Sequence, residues 1–418
     1  KGLDLSEQFN LQYHLLYQKS LRFVQDGIQI LDAQCIIAVG TAFNLAGTAL
    51  ASLQLDLSEN FENAPLYNNN RGAADMIALA QANQEIYGFM VIEEGEVVAE
   101  YYKDSNDGNN GAFGPIWSCT KTWTSLLYGI MEFDGTIDLS ERLVDIKNGR
   151  FWNQVRDGDD RKQLRIEQII SMTAGLQLGF EFIIDTLFGR PSGGKSPINA
   201  LEYHDLNVNN IDTFAYVAVG NLLSYIIQLL TNKTPQKFAD DRVFPYLGMN
   251  AATDIIWEET PDGVGLSWHG LNMNIRTMAK LGQLFLQNGF VNDETQIFKD
   301  DWVERSIAGT AANPEYGYSW WDMAVAHCAI GLGGQYICFD PSGSNRVFVM
   351  RQNDTGENTR TTTAFFIFAF LSSFSEPISQ GGSSIVTNAD VSSFNSILEK
   401  IDYASGQEKK QFFENSHE

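Results

Sequence analysis

Apolar and polar positions change period several times along the chain. From Ala73 to Asn83 the apolar residues recur at helical spacing, and Ile86–Ile92 and Glu96–Tyr102 then read as two strands turning at Glu93-Glu94-Gly95, a hairpin. The turn-forming run Gly111-Ala-Phe-Gly114-Pro115 precedes Ser118-Cys-Thr-Lys121, which opens an apolar helix continuing from Thr122 to Phe133. A long, mostly helical stretch extends from Ser118 to about Asp322, broken by loops rich in Gly, Asp and Asn, among them the turn-rich Asp205–Asn210. Strand patterns return at Ala329–Asp340 and Arg346–Arg351, and Ala364–Phe374 predicts an apolar helix too short to span a bilayer. Strands near both ends with helices between them predict an α/β (α+β) fold: one sheet assembled from distant parts of the chain, with a large helical domain inserted.

Outside this region the pattern weakens. Ala33–Leu55 contains no charged residue and ends in small side chains, as a secretory h-region or a membrane anchor would. Lys19 and Arg22 lie before it and Asp56, Glu59 and Glu62 after it, which would place the rest of the chain outside the cytoplasm. Export is the favoured reading; Asn44, Gln54 and two glycines inside the run keep a buried, Ala-rich core helix as the alternative. The chain begins at Lys1 rather than at Met, consistent with a fragment or a processed product. The expected organisation is an N-terminal extension over 1–70, a catalytic domain over 71–375 and a polar, loosely held tail over 376–418. Within the domain, the sheet parts fall at about 71–117 and 323–375, and the helical part at 118–322.

Charge and metal-ligand patterns remove several functions. The net charge is −24, and no block of Lys or Arg interrupts it, so phosphate backbones are poor partners and no nucleic acid is expected. The four cysteines, Cys35, Cys119, Cys328 and Cys338, form no C-x-x-C pair, and the five histidines are scattered singly, so no metal and no organic cofactor is expected. Cys328 and Cys338 lie symmetrically about Gly333 and would be cross-strand neighbours if the Gly-rich turn makes a hairpin. Cys119, one residue past Ser118, points about 100° away on a helix and reads as core packing.

The chemistry lies in Ser118-x-x-Lys121. Three residues apart at a helix start, the two side chains share one face. A serine hydroxyl is a weak nucleophile until a base takes its proton, and a lysine one turn away does so once burial lowers its pKa. A second S-x-x-K, Ser192-Gly-Gly-Lys195, sits in a loop after Pro191, where the side chains have no fixed relation.

The run from Ile116 to Leu139 resembles the nucleophile helix of the serine β-lactamase-like superfamily, in the manner of its class C-related esterases, D-aminopeptidases and 6-aminohexanoate-dimer hydrolases. Further segments resemble the family in order: Leu164–Leu176, the tyrosine segment Phe214–Leu223, Phe244–Met249, and Tyr316–Trp321 followed by Gly331–Pro341. The resemblance covers about 71–375 and implies a β-lactamase/DD-peptidase-like fold, an antiparallel sheet flanked by helices with a mainly helical insertion. It implies a Ser118 acyl-enzyme, Lys121 and Tyr216 sharing the proton, and an oxyanion hole from the backbone N–H groups of Ser118 and Gln335. It also places Leu332, Gly333 and Gly334 in the substrate-binding third motif. Two departures matter: the family's Tyr-x-Asn is Tyr216-Val217-Ala218, and its third motif lacks a cation. The expected activity is therefore hydrolysis of small esters or amides with weak or no β-lactamase activity.

Two other readings compete. A catalytically inactive, β-lactamase-like binding protein would share the fold. Gly189-Arg-Pro-Ser-Gly-Gly-Lys195-Ser196 matches the P-loop expression, but Pro197 follows at once where a long helix is required.

Overall fold

The structure is a computed structural model that describes residues 55–103, 113–146, 160–178, 204–216, 222–250, 253–259, 263–323, 325–340 and 345–353, with scattered positions between 362 and 407. The apolar segment 33–55, apart from Leu55, the P-loop-like segment 189–196 with Ser192 and Lys195, positions 217–221 of the tyrosine segment, and most of the tail lie outside the described residues.

Six strands form an antiparallel sheet in the order β2-β1-β11-β10-β9-β8. The predicted N-terminal hairpin is β1 (Ile86–Glu93) and β2 (Glu96–Tyr102), and the C-terminal strands are β8 (Trp321–Asp322), β9 (His327–Gly331), β10 (Gln335–Asp340) and β11 (Arg346–Gln352). β11 joins the two sets by pairing with β1 from Ile86↔Gln352 to Glu93↔Arg346. Alternate side chains of these strands face two different layers. On one face Val347 meets helix α6 (Ile275–Leu286), where a Cβ on Gly282 would stand 2.6 Å from Val347 Cγ1. On the other, the Phe348 ring packs 5.5 Å from Phe366 and 6.2 Å from Phe370. With both faces covered, β10 and β11 are buried along their whole length, which is why they read as nearly unbroken apolar runs.

Helix α1 (Arg71–Ala82) begins where the Asn70 side chain accepts from Ala73 N–H at 2.8 Å. The N-terminal segment is anchored too: Leu57 is fully buried, and Lys280 Nζ of α6 donates to Leu57 O at 2.7 Å. Packed residues therefore begin before 71. They also continue after 375, because Ile397 and Ala404 are fully buried, so this part of the tail is held rather than loose. Among the described residues no helix is long and apolar enough to cross a membrane.

In its described residues the stretch 118–322 is mainly helical, as expected. It contains helices α2 (Cys119–Phe133), α3 (Ile166–Ile170), α4 (Leu222–Thr231), α5 (Pro235–Arg242), α6 and α7 (Asp301–Ile307). It also supplies strands to two small antiparallel sheets, the first completed by a strand just before it. One is β3 (Gly114–Pro115), β7 (Leu271–Met273) and β6 (Ile255–Trp257); the other pairs β4 (Ala174–Leu178) with β5 (His204–Ile211). β5 occupies the segment read above as turn-rich. Its Asp and Asn residues disfavour strand, and the ladder with β4 overrides that local preference.

α2 is the centre of the fold and is buried from Cys119 through Met131. Its threonines would be costly there without partners, and each finds one in a different part of the chain. Thr120 Oγ1 accepts from Leu271 N–H at 3.1 Å, Thr122 Oγ1 donates to Ser319 O at 2.7 Å, and Thr124 Oγ1 donates to Ser267 O at 2.9 Å. Tyr128 OH donates to Leu223 O at 2.7 Å. These bonds fix the helix start relative to β7, β8 and α4.

Candidate active site

Ser118 is the residue from which α2 springs. Strand β3 delivers it: Ile116 N–H donates to Leu271 O at 2.9 Å, and Lys121 N–H closes the first helical turn on Ser118 O at 2.9 Å. Between them Trp117 holds a left-handed backbone, φ +48°, uncommon for a bulky residue and maintained only where the surroundings fix it. The result is a sharp bend that brings the Ser118 side chain against Lys121.

Lys121 Nζ donates to Ser118 Oγ at 2.5 Å, and both residues are buried. The same ammonium lies 4.8 Å from the centroid of the Tyr216 ring and 5.9 Å from that of Trp268. Tyr216, 95 residues beyond Lys121 in the chain, is buried against Tyr316 at 5.7 Å and Trp321 at 5.4 Å between ring centroids. Ser118, Lys121 and Tyr216 are thus brought together. An amine beside the hydroxyl can take its proton, and a phenol beside the amine can exchange a proton with it in turn.

The predicted third-motif residues occupy a turn. Leu332, Gly333 and Gly334 connect β9 to β10, closed by Gly334 N–H donating to Gly331 O at 3.1 Å. Gly334 has φ +84°, and a Cβ there would stand 1.8 Å from Gln352 Nε2, so glycine is required. Gly331, the last residue of β9, touches the approach to the nucleophile: its Cβ would lie 2.3 Å from Ile116 O. Leu332 then packs with Trp117 and Trp268 beside Ser118. Gln335 stands one strand further in, opposite Gly331; its side chain donates to Leu332 O and Gln352 O, and its carbonyl accepts from Cys119 Sγ at 3.5 Å. Cys119 is fully buried. Cys328 and Cys338 face each other across β9 and β10 and are joined in a disulfide.

His269 enters the site without any motif to announce it. It is buried beside Trp268, ring centroids 4.0 Å apart, and near Trp117 at 6.3 Å. Burial, helped by the Lys121 charge, pushes its imidazole down to about 3, so it is neutral at ordinary pH. Its separation in sequence from Ser118 hides the relation, and no neighbouring His or carboxylate marks it. Among the described residues no group of three or more His, Cys, Asp or Glu side chains converges to hold a metal.

A family model described as Beta-lactamase matches residues 74–370. Among solved structures, a Bacillus anthracis protein assigned as a 6-aminohexanoate-dimer hydrolase is 18% identical, with 76% of this chain and 90% of that one covered and a TM-score of 0.57. A penicillin-binding protein homologue from Caulobacter crescentus is 14% identical over 72% of this chain and 96% of its own, at a TM-score of 0.53. A family VIII carboxylesterase is 13% identical over 73% and 98%, also at 0.53. At these identities the likeness shows the fold. No curated protein matches the chain.

Proposed function

The chain belongs to the beta-lactamase family, and from that premise we propose that it is a serine hydrolase cleaving small esters or amides through a Ser118 acyl-enzyme. The observation carrying this reading is the buried contact of Lys121 Nζ with Ser118 Oγ at 2.5 Å, with the Tyr216 ring on the same ammonium. In the state in which the Lys121–Tyr216 pair has lost one proton, a neutral amine beside a phenol, Ser118 Oγ attacks the carbonyl carbon as its proton passes to the pair. The tetrahedral intermediate collapses, the pair returns that proton to the leaving oxygen or nitrogen, and a water then hydrolyses the ester formed with Ser118.

The negative oxygen needs two backbone donors. The Ser118 N–H is one. The resemblance assigns the other to Gln335; Leu332, which follows directly where β9 meets Ile116 and packs with Trp117 and Trp268, offers a second candidate N–H.

Substrate choice follows from what lines this turn. Neither Leu332-Gly333-Gly334 nor the end of β9, Ala329-Ile330-Gly331, carries a cation, and His269 is neutral. Among the described residues of this turn a substrate carboxylate finds no fixed partner, so neutral esters and amides are favoured and β-lactams are turned over weakly. A panel of p-nitrophenyl esters, amides and nitrocefin tests this: ester or amide turnover well above that of nitrocefin is expected, and the reverse order contradicts the assignment. The Cys328–Cys338 disulfide and the segment 33–55 support a place for the protein outside the cytoplasm, secreted, periplasmic or membrane-anchored.

A further inference from the structure

The back wall of Tyr216 is built partly by residues that the family match does not reach. Tyr216 rests on Trp321, and Trp321 belongs to β8, an edge strand of two residues that pairs with β9 through Trp321↔Cys328 and Asp322↔His327 and bridges to Tyr316. So short a strand has few ladder bonds to fix it. Support comes from the far end of the chain. The Tyr403 ring packs edge-on to Trp321, centroids 5.8 Å apart and planes at 83°. Lys400 Nζ donates to Asp322 Oδ2 at 2.9 Å and lies 3.7 Å from Glu315 Oε1, while Asp322 N–H donates to Glu315 O at 2.9 Å. The Lys400 side chain is only 16% exposed, so this ion pair is less screened than a surface pair. Ile397 and Ala404, seven residues apart on one helical face, are fully buried. The matched region ends at residue 370, so these contacts are an addition to the domain it describes.

A continuous row of contacts therefore leads from the C-terminal segment to the catalytic pair: Tyr403 to Trp321, Trp321 to Tyr216, Tyr216 to the Lys121 ammonium. Phe214 and Tyr316 fill the space beside it, with Phe214 5.3 Å from Tyr316 and Tyr316 4.6 Å from Trp321 between centroids. We propose that residues 397–404 act as a strap that holds Trp321, and through it Tyr216, in register with Lys121, which makes Lys400 and Tyr403 positioning residues for the acyl transfer. The proposal rests on the hydrolase reading above. Neither residue touches substrate; each limits how far the Tyr216 phenol can drift from Lys121 and Ser118. Displacements of about 1 Å at reacting groups cost up to about 100-fold in rate.

The test uses the full-length chain with Tyr403→Ala, Tyr403→Phe and Lys400→Met, assayed on p-nitrophenyl acetate well below the melting temperature of each variant. Tyr403→Ala and Lys400→Met are expected to lower kcat by about tenfold with little change in KM. Tyr403→Phe, which keeps the ring, is expected to restore kcat. Faster amide hydrogen exchange over residues 316–322 in Tyr403→Ala should accompany the loss. A kcat within twofold of the parent in folded Tyr403→Ala and Lys400→Met, or unchanged exchange at 316–322, would overturn the strap. A parent chain that neither hydrolyses esters nor reacts with a fluorophosphonate would overturn the hydrolase reading itself, and the strap's catalytic role with it. Failure of the strap alone is distinct, because it is seen in an active parent.

Discussion

At the scale of single residues, the proposed acyl transfer depends on one proton moving between three side chains. Lys121→Ala removes the partner of Ser118 Oγ, and Tyr216→Phe keeps the ring but removes the phenol. Each is expected to lower kcat by about 100-fold or more while leaving the folded protein intact, because both effects fall on general acid–base catalysis. Steady-state kinetics with circular dichroism checks this, and near-parental turnover in either would reject the role assigned to it. His269 offers a separate test through stability. Its imidazole is neutral in the folded chain down to about 3 and takes a proton near 6.5 once unfolded, so the unfolded state binds more protons between those values. Stability attached to His269 is complete above about 6.5 and declines as pH falls below it. Between pH 7.5 and 5.5 the parent should lose about 1.4 kcal/mol more than His269→Phe in urea unfolding; equal losses would contradict a buried neutral imidazole. Ser118 and Lys121 were legible because their relation is local, one helical turn. His269 and Trp268 were not, because only the pairing of β3 with β7 brings them to Ser118.

At the scale of elements, the nucleophile helix is held by close approaches that leave no room for additional atoms. Gly129 of α2 faces Trp302 of α7, and a Cβ there would stand 2.5 Å from the indole. Alanine is the better helix former by about 1 kcal/mol, but the rigid, buried ring cannot swing aside, and overpacking of this kind costs about 1–3 kcal/mol. Gly129→Ala should therefore destabilise the protein, read as a lower urea midpoint with an unchanged slope; a higher midpoint would mean that the α2–α7 contact yields easily. The strands of the large sheet were readable because both of their faces are apolar, and the Cys328–Cys338 pairing followed from their symmetry about the turn at Gly333. β5 escaped notice because its Asn and Asp residues carry a loop composition and only the ladder with β4 makes it a strand. Leu332-Gly333-Gly334 is the Gly-rich turn of the β9–β10 hairpin, two successive glycines at positive φ reversing the chain.

At the scale of the whole molecule, the sheet is built from the two ends of the matched region, and the candidate site forms where α2, the β9–β10 turn, the segment carrying Tyr216 and the loop before β7 meet. Both flanks of the chain contribute, Leu57 through Lys280 of α6 and residues 397–404 through β8. The tail looked loosely held because Ser, Asn and Gly dilute the few apolar positions in it, while the structure buries Ile397 and Ala404. The proposed function needs a serine made reactive by a lysine and a tyrosine. Intact-mass spectrometry after exposure to a fluorophosphonate tests that most directly, with the parent chain and Ser118→Ala measured side by side. A single covalent adduct on the parent, mapped to Ser118 and missing from Ser118→Ala, is the expected result. A parent chain that stays unmodified, or an adduct that persists in Ser118→Ala, would contradict it.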